Sequence, residues 1–389
     1  MRPHTVHLSR LCTLPVELRI TIFVLAQNPQ FPLVSRTYWH LSKSPLVRAK
    51  YLVHRFGKAA ALGSRSMACK IVTLDVIDNL LKLHCDPKAD DDWLSWNACE
   101  RDDCPLGSII LRAIKDTKGS LGHFLNIAAI KGAIGLIDLL VNTFSVDINQ
   151  PDGACLALAL ACAENQVATV RHLMTRYGCD VHWHRERHLR RACLQGFAEL
   201  VELLLPGADV HAFNDAALQN AAHRGHWMIV NQLLQAGADP QANRNGPIQS
   251  AIFNGDARSL RYLLDAGADP SWNQSWPLRL ACQRESLAVV EMLLQDTRVD
   301  PNAGRGMPLR ESLKAQKTEV VQALLDHGAD PNSVGAVRGL RSVVRQNNSS
   351  LLMLMAKAGA RLDHPSILAC EANNDMRNIL TVWCQQHTS

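Results

Sequence analysis

The chain has 389 residues, 47% of them apolar, and 41 Lys or Arg against 36 Asp or Glu, for a formal net charge of +5. Nowhere does an apolar run approach the roughly 18 residues a membrane span requires, so no membrane partner is expected. Charge is unevenly placed: residues 1–58 hold nine Lys or Arg against Glu17 alone, and such a basic segment suggests an acidic partner. The twelve cysteines make no ladder and no CxxC, which points to a reducing compartment, cytoplasmic and/or nuclear. Arg2 and Arg10, with no acid before Glu17, leave a mitochondrial presequence open.

In chain order, residues 1–10 are expected to be disordered. A short helical domain is then expected over 11–57. Leu14-Pro15-Val16-Glu17-Leu18 leads into Ile22-Phe23-Val24-Leu25; proline suits a first helical turn, and Glu17 complements its positive end. Val34, Arg36, Trp39, Ser44-Pro45 and Leu52 come next. The order LPxELxxxIF … VSRxxWxL … SPxVRAxYL resembles the F-box. That resemblance implies docking on the Skp adaptor of cullin-RING ubiquitin ligases. Leu14, Pro15, Leu18, Ile22 and Phe23 would face the adaptor or support that face, and Val34, Arg36 and Trp39 would belong to the closing helix. The stretch from Leu25 to Val34 is shorter than the family's by more than a helical turn, so a small helical cap shielding the first repeat is the alternative.

Residues 58–119 read as degenerate repeats. Val76-Ile77 and Leu80-Leu81, then His84-Cys85-Asp86-Pro87, copy a pattern that recurs downstream, and a second degenerate unit is expected with helices at Trp93–Glu100 and Ser108–Ile114. The acidic stretch 88–103 is expected to be a solvated loop, since nothing in it fixes a coordination geometry.

Clear repeats run over 120–361. Asp147, Asp180, Asp209, Asp239, Asp269, Asp300, Asp330 and Arg361 mark equivalent places, with gaps of 33, 29, 30, 30, 31, 30 and 31 residues. Upstream of each mark lies an apolar pair, such as Leu203-Leu204 or Leu233-Leu234, and before that a small-residue helix start, such as Ala221-Ala222. In the best copy, Ile229, Val230, Leu233 and Leu234 line one helix face. Gly237 supplies the left-handed close of that helix, and Asp239-Pro240 bars its continuation. Each period is therefore two antiparallel helices and a connector, which must stack on its neighbours to bury its apolar face. Residues 362–389 supply one more helix pair with a polar end, a capping repeat.

The text of Gly225–Pro240 and Gly255–Pro270 resembles the second half of an ankyrin repeat, and the thirty-residue spacing resembles the expanded arrays of fungi and giant viruses. The usual period is about 33 residues, so the finger between repeats is expected to be clipped to a tight loop. The family's TPLH is replaced by forms such as Trp276-Pro277-Leu278-Arg279. Taken together, the expected fold is an all-α ankyrin solenoid of about ten repeats behind a short F-box-like helical domain.

Two rows come from the register. Trp183 and Trp272 share the third place after the mark; Arg185, Arg244 and Arg305 share the fifth. These five are the expected target-binding residues on the concave face, because Trp and Arg most often dominate interface energies. A second row, including Arg190, Gln249, Arg279, Arg310 and Arg341, fills the place of the family's histidine and is expected to hold neighbouring loops. Cys179, His182, His184 and His188 are crowded by Arg185, Arg187, Arg190 and Arg191, which would repel a metal ion; no metal and no cofactor is expected. No GxSxG, HExxH, phosphate-binding loop or GxGxxG signature occurs, and no catalytic residue is assigned. The sequence therefore predicts a non-catalytic substrate receptor joining a protein target to a Skp-type adaptor, a monomer outside that complex, with nucleic acid not expected as a partner. The alternative is a binding scaffold with no ubiquitin link.

Overall fold

Helices build the described repeats, because each period supplies two apolar stripes and most close the second helix with glycine. The computed structural model describes residues 43–69, 72–114, 120–149, 155–284, 286–370 and 374–387. Expectations for the disordered N-terminus and for Leu14, Pro15, Leu18, Ile22, Phe23, Val34, Arg36 and Trp39 lie outside the described residues.

The chain divides into two compact units, 1–181 and 182–389. The first contains α1 (Pro45–Phe56), α2 (Ser64–Met67), α3 (Leu74–Lys82), α4 (Ala89–Glu100), α5 (Cys104–Ile114), α6 (Ser120–Lys131), α7 (Ile134–Phe144), α8 (Leu156–Ala163) and α9 (Val167–Tyr177). Two layers form within it: α2, α4, α6 and α8 stack in one, and α1, α3, α5 and α7 in the other. Both helices expected for the degenerate unit are present as α4 and α5. The acidic stretch is not a loop. Most of it is α4, and Asp90, Asp92 and Asp102 are engaged. Asp90 accepts the Ser64 amide at 2.8 Å, and Asp92 lies 3.0 Å from His123 Nε2. Asp102 takes the amides of Gly135 and Leu136, both at 2.9 Å, capping the start of α7 from the preceding repeat.

The second unit contains α10 (Trp183–Gln195), α11 (Ala198–Leu204), α12 (Ala212–Arg224), α13 (Trp227–Gln235), α14 (Ala242–Phe253), α15 (Ala257–Asp265), α16 (Trp272–Arg284), α17 (Leu287–Leu294), α18 (Ala303–Lys314), α19 (Thr318–Asp326), α20 (Val334–Arg345), α21 (Ser349–Lys357), α22 (Pro365–Leu368) and α23 (Asn374–His387). First helices α10, α12, α14, α16, α18 and α20 stack side by side, and so do second helices α11, α13, α15, α17, α19 and α21.

Each second helix buries an i, i+1, i+4 set: Ile229, Val230 and Leu233 in α13, and Leu136, Ile137 and Leu140 in α7. This corrects the alignment of one apolar pair. In α11 the buried set is Leu200, Val201 and Leu204, so Leu204, not Leu203, matches Leu233. The 29-residue repeat loses its residue at the turn after α11. At α13 the stop is as read, with Gly237 at φ 93, a conformation that costs a side chain about 1–2 kcal/mol.

Candidate interaction surface on the first helices

In place of the clipped finger, the second unit has a left-handed turn. Three consecutive residues with positive φ occur at 184–186, 213–215, 243–245, 273–275 and 304–306, merged into the starts of α10, α12, α14, α16 and α18. These are the fourth to sixth places after each aspartate mark. Asn, Asp and Gly tolerate such angles best, and they fill seven of the fifteen places: Asn214, Asp215, Asn243, Asn245, Asn273, Gly304 and Gly306.

Each place has its own role. The mark itself holds the entry, since Asp209, Asp239, Asp269, Asp300 and Asp330 each accept the amide two residues on, at 2.8–3.0 Å. The second place reaches the next repeat: Asn302 accepts the Asp330 amide at 2.7 Å and donates to the Gly328 carbonyl at 2.9 Å. Asn332 does the same with Arg361 and Gly359. The sixth place is buried, as Glu186, Asp215, Asn245, Ser275 and Gly306. Glu186 accepts the Asp209 amide at 3.1 Å, and Asp215 the Asp239 amide at 2.8 Å.

The fourth place is exposed at His184, Phe213, Asn243 and Asn273, and the fifth place carries the arginines. Arg185, Arg244 and Arg305 all stand in solvent at the middle of this turn. Trp183 and Trp272 differ from the expectation: both are half-buried, at the residue before the left-handed run, and the corresponding Ala212, Ala242 and Ala303 are buried. The tryptophans therefore occupy a packing position instead of a loop tip. Trp183 lies against the His184 ring, 5.1 Å between centroids.

The second row is scaffold where its bonds are visible. Arg190 Nε donates to the Arg185 carbonyl at 3.2 Å and Gln249 to the Arg244 carbonyl at 2.8 Å, each tying down the turn that carries an exposed arginine. Sequence reasoning missed the aromatic partners. Phe213, 51% exposed, lies under Arg190 at 4.3 Å and Arg185 at 5.4 Å, and Phe253, 47% exposed, under Arg284 at 3.5 Å. Their signal was an apolar residue at the fourth place after the mark and at the exposed end of a first helix. Phe253 also lines a groove of about 370 Å³ with Gln219, Asn243, Gln249 and Trp276. Arg305 borders another, of about 620 Å³, with Gln274, Arg298 and Asp300.

Among the described residues no group of three or more His, Cys, Asp or Glu could hold a metal ion. In the 179–191 cluster, His182 Nδ1 lies 2.9 Å from Glu186. The Cys179 thiol donates to Cys155 Sγ at 3.3 Å, which lowers the Cys155 pKa and raises that of Cys179. Burial pushes the Cys99 thiol up to about 12 and raises Cys193 and Cys282 as well, so these thiols serve as small apolar groups.

Residues 189–274 match the ankyrin-repeat family in three copies. Residues 189–274 carry ankyrin repeats. The matched residues run from within α10 to the start of α16 and include the turns at 213–215 and 243–245 with Arg244; Arg185 and Arg305 lie outside them. Two solved structures are similar to it. The human ASB11 ankyrin repeat domain is 25% identical at a TM-score of 0.45, covering 52% of this chain and 96% of that one. The ankyrin repeat domain of Bcl-3, a member of the IkappaB protein family, is 22% identical at a TM-score of 0.44, covering 50% of this chain and 97% of that one. No curated protein matches the sequence. No helix among the described residues is long and apolar enough to cross a membrane.

Proposed function

We propose that this ankyrin array is a non-catalytic receptor that holds an acidic protein target on the turn-bearing face of its first helices. The observation that carries the reading is the fifth place of the turn. The sixth place is buried, while Arg185, Arg244 and Arg305 recur exposed at the fifth, beside arginine-capped Phe213 at the fourth. Trp183 and Trp272 flank the row and contribute apolar area at its edge. We further propose that residues 11–57 dock a Skp-type adaptor through Leu14, Pro15, Leu18, Ile22, Phe23, Val34, Arg36 and Trp39. The support for this half is the order of the residues alone. The receptor would then make no bond itself; it would raise the concentration of its target beside a ubiquitin-conjugating enzyme.

The test is quantitative affinity purification of the full chain. Arg185→Glu/Arg244→Glu should remove the main target at unchanged melting temperature, and higher salt should slow association more than it speeds dissociation. Leu14→Ala/Pro15→Ala should keep the target and lose the adaptor. A target retained by the first variant refutes the turn surface. Absence of adaptor from the wild-type complex refutes the ligase link and leaves a binding scaffold.

A further inference from the structure

A strongly charged cavity of the second unit lies outside the turn row. A groove of about 260 Å³ between α18 and α20 is lined by Arg310, Lys314, Arg338, Gly339, Arg341, Ser342 and Arg345. Five of these seven residues are cations, and no carboxylate lines it. On α20, Arg338, Arg341 and Arg345 stand at i, i+3 and i+7, one helix face; on α18, Arg310 and Lys314 stand at i and i+4. Like charges at such spacings repel. A structural patch would relieve that repulsion with interleaved acids, as Asp78 does for Lys82 at 2.6 Å. Here no salt bridge among the described residues involves any of the five.

Two of the cations have another explanation. Lys314 and Arg345 close their helices, where positive charge suits the dipole. Arg310, Arg338 and Arg341 do not. Arg310 spends one NH on Met307 Sδ at 3.5 Å, a weak acceptor. Arg341 is the more telling: its Nε is buried without a hydrogen-bond partner, which is costly for a donor of a charged group. The walls are held close by glycine. A Cβ on Gly339 would sit 2.8 Å from Leu313 Cδ1 and 3.2 Å from Arg310 Cα, so the two rows of cations are drawn together by the packing itself.

We propose that this groove binds a phosphorylated segment of a partner protein. Guanidinium groups match phosphate oxygens through paired N–H donors. A phosphoryl group carries a charge near −2 at pH 7, so each offsets about two of the five cations where a carboxylate offsets one. This is separate from the turn row and does not depend on it.

The probe is a fluorescent 12-residue peptide of alternating glutamate and serine, with every serine phosphorylated, titrated by anisotropy into the full chain. The comparisons are the same peptide unphosphorylated, a 20-nucleotide oligothymidylate, and phosphatidylcholine vesicles containing phosphatidylserine. We expect the phosphorylated peptide to bind at least tenfold more tightly than each comparison. Arg338→Gln/Arg345→Gln, at exposed positions, should weaken it at least tenfold without altering the circular dichroism melt, and Arg341→Lys, which keeps the charge and loses the fork, should weaken it severalfold. Arg185→Glu/Arg244→Glu should bind the peptide as the wild type does. Equal affinity for the two peptides, tighter binding of oligothymidylate or vesicles, or indifference to Arg338→Gln/Arg345→Gln would each overturn the proposal. Should the double variant melt early, Arg338→Gln alone carries the same test.

Discussion

Asp215 is the clearest place to test the left-handed turn. It is 4% exposed and sits at φ 55 and ψ 39. Its Oδ1 accepts the Asp239 amide at 2.8 Å and lies 3.1 Å from His211 Nδ1. One side chain thus tolerates the turn and holds the next repeat's connector. Replacement by alanine removes both contributions. Losing a hydrogen bond to a charged acceptor costs about 1.5–3 kcal/mol, and alanine in a left-handed place costs about 1 kcal/mol more than aspartate, so Asp215→Ala should destabilise by about 2.5–4 kcal/mol. Asp215→Asn keeps an acceptor and the tolerance and should cost about 1 kcal/mol or less. Asp215→Gly frees the backbone but loses the acceptor, and should fall between. Repeat arrays do not always unfold in one step, so urea melts should be paired with native-state hydrogen exchange at the Asp239 amide. That amide should lose protection in the alanine and glycine variants and keep it in the asparagine variant. If asparagine is as damaging as alanine, the acceptor is not what matters; if glycine is as damaging as alanine, the turn carries no conformational cost.

Two further predictions rest on other sites. Asp138 Oδ1 lies 2.7 Å from His172 Nε2 and accepts the Tyr177 hydroxyl at 2.6 Å. Desolvation pushes the Asp138 carboxyl up, but the Tyr177 and His172 bonds outweigh it and leave the pKa below the ordinary 3.8. Burial and Asp138 in turn push the Tyr177 hydroxyl up to about 12, from 10.0. The lowered carboxyl stabilises the fold above pH 3.8, an effect lost as pH falls through its folded value. The raised phenol stabilises it below pH 10, an effect lost as pH rises towards 12. Asp138→Asn should therefore flatten both arms of a plot of melting temperature against pH; flattening neither would refute the network. Gly339→Ala should destabilise by about 1–3 kcal/mol through overpacking against Leu313, whereas Gly122→Ala, with nothing within 4 Å of the added carbon, should stabilise by about 0.5–1 kcal/mol. Equal effects of the two in urea melts would show that α18 and α20 are not tightly packed at Gly339.

Periodicity carried most of the fold because each repeat states its own core. Even the degenerate unit kept its apolar stripe, so α4 and α5 were legible from Trp93–Glu100 and Ser108–Ile114. Register at single residues was less legible. Leu203 and Leu204 are the same residue type, and only burial distinguishes the core leucine from its neighbour. The left-handed turn had a partial signal in Asn243, Asn245, Gly304 and Gly306; His184, Phe213 and Gln274 gave none, since tertiary context overrides their preference. Trp183 and Trp272 looked like contacts because the length of the connector was known but its path was not. On the first helices, spacing along α20 could have grouped Arg338, Arg341 and Arg345, but not with Arg310 and Lys314. That grouping depends on how closely glycine lets two helices approach, a property of the pair and not of either helix.

The turn also explains how such an array can vary its binding surface without losing its fold. A run of three left-handed residues is unfavourable at about 1–2 kcal/mol for each ordinary side chain, and its neighbours offset that cost. The mark and the second place hold backbone amides and carbonyls, and the buried sixth place is restricted to residues that fit there, from Gly306 to Glu186. The fifth place has no such duty. At Arg185 and Arg244 it is the carbonyl that is bonded, by Arg190 and Gln249, and a carbonyl is common to every residue. Its side chain is therefore free to differ, and it does: Arg185, Asn214, Arg244, Gln274 and Arg305 occupy it within one unit. Structural constraint and exposure are thus separated by a single residue along the chain, which allows specificity to change at the fifth place while the sixth place keeps each repeat docked on the next.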